Sequence, residues 1–279
     1  MTKLQMQAEP KIIFQSEAGP RALRATRGPW KIFGVLDNAD AEIAKAELSG
    51  GADGLVLTTL ESVEALRALP LHRFSIRNEA GDAGAQALKD LIAQTPIDPA
   101  RLNISFAVST VALADELAAL GFVGPFFEAR GHELSDVLSA CVHLSKLRTS
   151  VSLRLHADHN MFATLAKFRA MRILWGRVLP GAVLNLHGVV AAPTGDDHEH
   201  YILACVAACF GAGLGGADSI AILPFNSSGD FERRMVRNIQ NILLHEAHLG
   251  EVADAAAGAG YVEHLTRQYC DTAWENFQS

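Results

Sequence analysis

Eight short segments rich in β-forming residues alternate with longer helical segments from Trp30 onward, and this alternation constrains the fold more than any other feature. A helical pattern follows each strand candidate, and several helices begin at Asp or Ser and end near Gly, as helix caps should. Strand–helix alternation at this spacing favours a parallel sheet, and eight units favour its closure. The sequence therefore predicts an α/β fold, a single-domain (β/α)8 TIM barrel. The strand candidates span residues 30–36, 54–59, 73–78, 103–109, 122–129, 151–157, 182–189 and 219–226.

An open, doubly wound sheet is the main alternative. That fold is usually marked by a glycine-rich phosphate loop directly after a strand, and here "SGGADG" precedes one. The length of 279 residues suits one barrel. We expect an N-terminal extension over residues 1–28, the barrel over 29–260, and a closing C-terminal helix over 261–279 packed on it, with no second folded domain.

Charge and hydropathy exclude several classes of function. The net charge is −7, from 24 basic and 31 acidic residues, and the basic residues form no run that would bind nucleic acid. We find no signal peptide and no apolar run of membrane-spanning length, so the sequence predicts a cytoplasmic protein without membrane contact. Cys205 and Cys209 lie four residues apart in an apolar helix and are expected to be reduced core residues.

Polar residues collect at the predicted carboxyl ends of the strands, where barrel enzymes carry their chemistry. We take His187, His156 and Asp158 as candidate catalytic residues, and Asn226 and Ser227 as candidate cofactor-binding residues at the barrel mouth. The "HADHN" segment suggests a divalent metal, but nearby loops offer no bridging carboxylate, so polar loop residues are the favoured interpretation. "HEAH" is one residue short of a zinc helix, and no GxSxG or P-loop is present.

The segment "NMFATLAKFRAMRILW", residues 160–175, mixes three cations with large apolar side chains. On a helical wheel Lys167 lies far from Arg169 and Arg172, and the apolar residues spread over several faces. This pattern is typical of a helix that packs on two sides rather than of a basic binding surface. We predict that Phe168 or Trp175 lies at or near a chain–chain contact.

The same segment is similar to the "IAKLRAxRxLW" helix of the methylmalonyl-CoA mutase family. Further pieces agree in order and spacing, and they resemble most closely the family's small, non-catalytic (beta) subunits. The resemblance runs from about Pro29 to the end of the chain and is strongest in the second half. These pieces are "PWKIFGVLDNADAEIAKAELSGGADGLVL", "GGADSIAILPFN", "DFERRMVRNIQNILLHEAHLGEVAD" and "YVEHLTRQYCDTAW".

The resemblance implies a barrel whose axis is threaded by an acyl-CoA and whose carboxyl end is capped by adenosylcobalamin, the cofactor of the family's radical isomerases. It also implies that several functional positions are lost. The family's substrate-handling Tyr-His pair falls on Gly124 and Pro125. The family's histidine in the seventh-strand segment is matched by His187, but the glutamine two residues on is Val189. Other family polar residues fall on Leu223, Ser227 and Ala204.

The cobalamin-binding loop Asp-x-His-x-x-Gly has no counterpart, since "DDHEHY" places Tyr201 where glycine is needed. The resemblance therefore implies that this chain alone binds no cofactor. We expect a catalytically degenerate barrel, a pseudoenzyme that stabilises or regulates a mutase large subunit or its own homodimer. A working acyl-CoA mutase subunit, with cobalamin on another chain, and an unrelated small-molecule enzyme or binder are the alternatives. An axis that is open and lined by small residues would favour the working subunit; bulky side chains across it would favour the degenerate barrel.

Overall fold

The computed structural model describes residues 28–131, 133–147, 151–178, 183–191, 198–225 and 229–278. Within these residues eight parallel strands form one sheet in the order β4-β3-β2-β1-β8-β7-β6-β5. All but Gly28 of the expected N-terminal extension lies outside the described residues. The strands are β1 (Lys31–Leu36), β2 (Gly54–Leu57), β3 (Ser75–Asn78), β4 (Asn103–Ser105), β5 (Phe127–Gly131), β6 (Val151–Ala157), β7 (Leu184–Val190) and β8 (Ser219–Ile222).

Helices follow the strands on the outside of the sheet. The segment after β2 differs from a regular helix: it forms a 3-10 helix over Glu61–Ala68. A π-helical turn, Ile242–Glu246, ends the helix after β8, and the "HEAH" residues there are exposed. The α-helices are α1 (Ala41–Ser49), α2 (Gly81–Ala93), α3 (Val111–Ala119), α4 (Leu134–Leu147), α5 (Met161–Val178), α6 (His198–Leu214), α7 (Asp230–Asn241) and α8 (Gly260–Gln278).

The sheet closes between β4 and β5, through backbone hydrogen bonds beyond the regular ladder. Phe106 N donates to the carbonyl of Pro125 at 2.7 Å, and Val108 N donates to that of Phe126 at 3.1 Å. Both strands are shorter than predicted; Pro125 has no N–H to continue a ladder, and β5 begins at Phe127. The nearly closed ring of eight strands with outer helices confirms the predicted (β/α)8 TIM barrel.

Alternate residues of the strands build the core between sheet and helices. Ile32 and Leu36 of β1, and Ile220 and Ile222 of β8, are fully or almost fully buried on this outer side. Cys205 and Cys209 of α6 are buried in the same core with free thiols, as predicted. Among the described residues, no helix has both the length and the hydropathy to cross a membrane.

Helix α5 corresponds to the segment of mixed charge and lies between the barrel and α8. Phe168 is 0% exposed and Trp175 is 3% exposed within this one chain. Both side chains are thus covered by this one chain, in which α8 supplies the second packing surface; a chain–chain contact near them stays a prediction. The cations diverge as predicted: Arg169 bonds Asp254, whereas Arg172 pairs with Asp218 at 2.7 Å.

Candidate functional site

The candidate site is the interior of the barrel, because the strand residues that alternate with the outer core face it. Hydrogen bonds that skip a strand identify these inward positions. Ser105 of β4 donates to Ser152 of β6 at 3.2 Å, and Arg77 of β3 donates to Glu128 of β5. At these positions the interior therefore holds polar and charged groups, where the interior of such barrels is usually filled by branched apolar side chains.

Five charged side chains form an interior ion network, made of Arg77, Glu79, Glu128, Arg130 and Arg154. Arg77 bonds Glu128, Arg154 bonds Glu79, and Arg130 Nε lies 2.6 Å from Glu128 Oε1. The Arg77 and Glu128 side chains are only 3% and 1% exposed. The network joins β3, β5 and β6 and thereby places bulky side chains across the interior.

The network is charge-paired but not fully hydrogen-bonded. Arg77 Nε lies 2.9 Å from Glu79 Oε1, yet neither atom has a hydrogen-bond partner among the described residues. Burial lowers the pKa of the Arg77 guanidinium, and the charges of Glu128 and Glu79 oppose that shift. An arginine stays protonated in proteins, so the two carboxylates compensate a buried cation.

An apolar group occupies another part of the interior. Phe33 and Val35 of β1, Val56 of β2 and Ala221 of β8 are buried together, and Leu223 packs against them half-buried. These side chains, with the ion network, narrow the axis. The sequence reasoning noted the polar strand ends but missed Arg154; its signal was the alternation in "VSLRLHA", which places Arg154 on the same face as Ser152 and His156.

At the amino ends of the strands the interior widens into a cavity of about 190 Å³, hereafter the amino-end cavity. Small polar side chains surround it, and several bond one another. Asn103 Nδ2 donates to Ser75 Oγ at 2.9 Å, and Lys31 Nζ donates to the same oxygen at 3.4 Å. The polar lining side chains are Lys31, Ser75, Arg77, Asn103, Ser105, Asn185, His187, Asp218 and Ser219.

His187 is buried on the wall of this cavity. Its Nδ1 bonds the Ser219 hydroxyl, and its ring meets the Phe33 ring edge to face at 6.3 Å. Nε2 is buried and has no hydrogen-bond partner in the described part of the chain. Burial lowers the pKa of His187 well below its ordinary value, and Arg77, Arg172 and Lys31 lower it further. The imidazole is therefore neutral at pH 7.

The structure separates the other predicted site residues. His156 is half-buried on β6 and faces the same way as Arg154. Asp158 is exposed in the loop after β6, where its carboxylate accepts from the backbone N–H of Asn160 at 2.8 Å at the start of α5. Asn226 and Ser227 lie outside the described residues. The described ranges contain no group of three or more His, Cys, Asp or Glu side chains that could hold a metal ion.

Comparison with known proteins places the chain in a family. The family profile described as methylmalonyl-CoA mutase matches residues 132–279, more than half of the chain. The chain belongs to the methylmalonyl-CoA mutase family. A probable methylmalonyl-CoA mutase small subunit of Mycobacterium tuberculosis is 34% identical over 217 residues, which cover 72% of this chain and 32% of the relative.

Two further small subunits of methylmalonyl-CoA mutase are similar over shorter spans. The protein of Streptomyces virginiae is 38% identical over 147 residues, covering 48% of this chain and 24% of the relative. That of Propionibacterium freudenreichii is 36% identical over 143 residues, covering 46% of this chain and 22% of the relative. The chain thus spans about a third or less of the length of these relatives.

Most of the described positions that the mutase-family resemblance marks as functional carry no reactive side chain here. Gly124 and Pro125 lie at the seam where β4 and β5 meet, and Pro125 contributes its carbonyl to that seam. Val189 is buried on β7, and Ala204 is buried in α6. The Leu223 carbonyl accepts a hydrogen bond from the Tyr201 hydroxyl. Of the matched polar positions within the described ranges, His187 alone keeps a group able to donate or accept a proton.

Proposed function

We propose that this chain is a small-subunit-type barrel of the mutase family that stabilises or regulates a mutase large subunit and is itself catalytically degenerate. The interior ion network carries this proposal. An acyl-CoA that threads a barrel needs an open axis, and here Arg77, Glu128 and Arg154 connect three strands across it. Opening the axis would leave buried charges without partners, which costs about 3–5 kcal/mol.

The chemistry of the remaining interior supports the same proposal. Gly124 and Pro125 offer no side-chain donor or acceptor to a thioester, and the described mouth residues do not fit adenosylcobalamin held in the family's way. Leu223 and Val189 are apolar, and the Tyr201 hydroxyl is engaged with the Leu223 carbonyl. We therefore propose that this chain alone holds neither the cofactor nor a reacting acyl group.

The proposed partner follows from the relatives. The similar proteins of Mycobacterium, Streptomyces and Propionibacterium are named small subunits, a name that implies a large-subunit partner for them. We extend this relation to the present chain as part of the proposal. A homodimer of this chain is the other assembly that a degenerate barrel could stabilise.

Reconstitution tests the proposal. The purified chain is mixed with methylmalonyl-CoA and adenosylcobalamin, alone and together with the mutase large subunit of the same organism, and succinyl-CoA formation is measured. We expect no turnover by the chain alone, formation of a complex in size-exclusion chromatography with light scattering, and a higher or longer-lived activity of the large subunit. Turnover by the isolated chain, or no complex with any large subunit, would contradict it.

A second candidate function is a working mutase subunit that uses cobalamin on another chain. The amino-end cavity favours it, because small polar side chains line this half of the axis and His187 Nε2 lies unpartnered among the described residues. In the reconstituted complex, His187→Ala and His156→Ala separate the two functions. If these variants lose turnover, the result supports the working subunit. If turnover is unchanged, it supports the degenerate barrel.

A further inference from the structure

The amino-end cavity contains donors that the described residues leave without acceptors. Ser75 Oγ accepts from both Asn103 and Lys31, so its own hydroxyl hydrogen is available to another acceptor. The Lys31 ammonium has three N–H groups, and the one contact to Ser75 at 3.4 Å uses at most one of them. His187 Nε2 is a third polar atom in this wall with no partner in the described ranges.

We propose that the amino-end cavity binds a small organic monocarboxylate, with Lys31 at its rim pairing the carboxylate and the Ser75 hydroxyl donating to it. Lys31 is exposed to solvent at the open end, while His187 and Phe33 lie deeper. The acid therefore enters from the amino ends of the strands. Its short carbon chain contacts the Phe33 ring.

The charges around the cavity select an anion. The groups that act electrostatically on His187 are Arg77, Arg172 and Lys31, all of them cations. Asp218 is the one carboxylate among the described lining residues, and it is neutralised because it pairs with Arg172 at 2.7 Å and accepts from the Leu186 N–H at 2.7 Å. Arg77 is itself paired with Glu79 and Glu128. Lys31 is thus the cation of the lining with no ion-pair partner among the described residues.

One ammonium that has no ion-pair partner among the described residues balances one negative charge, and this favours a monocarboxylate over a phosphate dianion, which would need a second cation. The volume bears on the size of the ligand. A cavity of about 190 Å³ has room for a short-chain acid such as butyrate.

Isothermal titration calorimetry of the full chain with butyrate tests the site, with butyramide, inorganic phosphate and pantetheine as comparison ligands. We expect butyrate to bind and Lys31→Met to weaken it at least tenfold, since the variant keeps the length of the side chain and removes its charge. Ser75→Ala is expected to weaken binding about threefold to tenfold through the lost hydroxyl. Lys45→Met, which alters an exposed lysine paired with Glu42 on α1, is the matched control and should bind as the parent does.

Other outcomes overturn the proposal. Butyramide bound as tightly as butyrate would show that no anion is recognised, and tighter binding of phosphate would assign the site to a different anion. Pantetheine bound more tightly than butyrate would show that the cavity takes an uncharged, pantetheine-like chain and not a carboxylate. No butyrate binding at about 10 mM, or equal binding by Lys31→Met, would remove the site altogether. Each variant is first checked for an unchanged urea midpoint. These titrations use the chain alone, so their result is independent of any large-subunit partner.

Discussion

Two buried arginine clusters, one inside the barrel and one outside it, differ in how completely they are hydrogen-bonded. Outside, Arg169 of α5 donates through Nε and Nη2 to Asp254 at 3.2 and 2.6 Å, and further bonds reach Glu263 and Thr266 of α8. Inside, Arg77 and Arg154 each keep a buried Nε with no hydrogen-bond partner in the described part of the chain. The same chemistry is saturated in one place and incomplete in the other.

The difference teaches what each cluster does. A saturated buried cluster fixes one arrangement, and the Arg169 cluster fastens α8 and the preceding loop onto α5. The inner cluster leaves buried atoms without hydrogen-bond partners among the described residues beside a widened, polar interior, and such atoms are rare in native proteins. This contrast separates the outer helix clamp from the inner axis, where the proposed functions lie.

Removing one carboxylate from the inner cluster is expected to have the largest effect. Glu128→Ala should lower the free energy of unfolding by about 3–5 kcal/mol, because Arg77 then stays buried with Glu79 as its remaining ion-pair partner among the described residues. Urea denaturation followed by circular dichroism measures the change. The matched control is Arg130→Ala, whose side chain is 41% exposed and should matter by less than about 1 kcal/mol.

A double replacement sharpens this result. Arg77→Met with Glu128→Leu removes both buried charges and leaves the bond between Arg154 and Glu79 in place. We expect the double variant to be more stable than Glu128→Ala alone, because a buried pair exchanged for apolar side chains is often neutral. A double variant that is less stable than the single one would show that the network stabilises the barrel beyond mutual compensation of its charges.

Removing a carboxylate from the outer cluster is expected to lower the free energy of unfolding by less than the same change in the inner cluster. Asp254→Ala should lower the free energy of unfolding by about 2–4 kcal/mol, because Arg169 loses a bidentate partner but keeps Glu263 at 2.8 Å. Hydrogen exchange measures where the loss falls, and we expect faster exchange in α8 than in the strands. Glu263→Ala, at a side chain 30% exposed, is the milder companion variant. Exchange that rises equally in strands and α8 would contradict the view of a local clamp.

Sequence reasoning predicts the fold well because the relevant signal is local. Each strand is a short β-rich run and each helix is a longer periodic one, so counting eight units is enough to predict a closed barrel. One exception also has a local cause: Pro125 interrupts the ladder between β4 and β5. The resemblance of the second half to mutase small subunits likewise rests on contiguous sequence motifs.

The site resists prediction because its contacts join distant residues. Arg169 and Asp254 are 85 positions apart, and Arg154 and Glu79 are 75 apart. A helical wheel shows that Lys167 lies far from Arg169 and Arg172, but it names no partner, so it does not reveal that α8 packs on α5. Strand alternation places Arg77 and Arg154 inside the barrel but does not reveal that carboxylates meet them there.

The pH dependence of stability distinguishes the inner region from the surface. Burial and three nearby cations hold the pKa of His187 below its ordinary value of 6.5, so below that pH the unfolded chain binds a proton that the folded chain does not. The free energy of unfolding should therefore fall as the pH drops from 7 to about 5.5, by at most about 1.4 kcal/mol per pH unit from this group. His187→Gln should remove that part of the slope.

The test compares slopes, since His187→Gln also changes stability at every pH. Urea unfolding at several pH values gives the slope for the parent, for His187→Gln and for His264→Gln, an exposed histidine of α8. Glu47 acts in the opposite sense, because burial raises its pKa and its contribution declines as the pH rises above 4.5, but it is common to all three proteins. Equal slopes in the parent and His187→Gln would contradict a neutral buried imidazole.

The smallest expected effect lies on the outer surface, next to the fully hydrogen-bonded Arg169 cluster. The Arg177 guanidinium at the end of α5 lies 3.7 Å from the centre of the Trp274 ring of α8, and Trp274 in turn contacts Phe277. Arg177→Gln should lower the free energy of unfolding by about 0.5–1 kcal/mol, because a partly exposed cation–π contact contributes no more than that. Arg177→Lys should keep most of it, since the charge remains over the ring. A loss of unfolding free energy as large as that of Asp254→Ala would mean that the packing of α5 on α8 depends on its exposed edge as much as on the buried Arg169. Complete hydrogen bonding of the Arg169 cluster would then not explain how α8 is held.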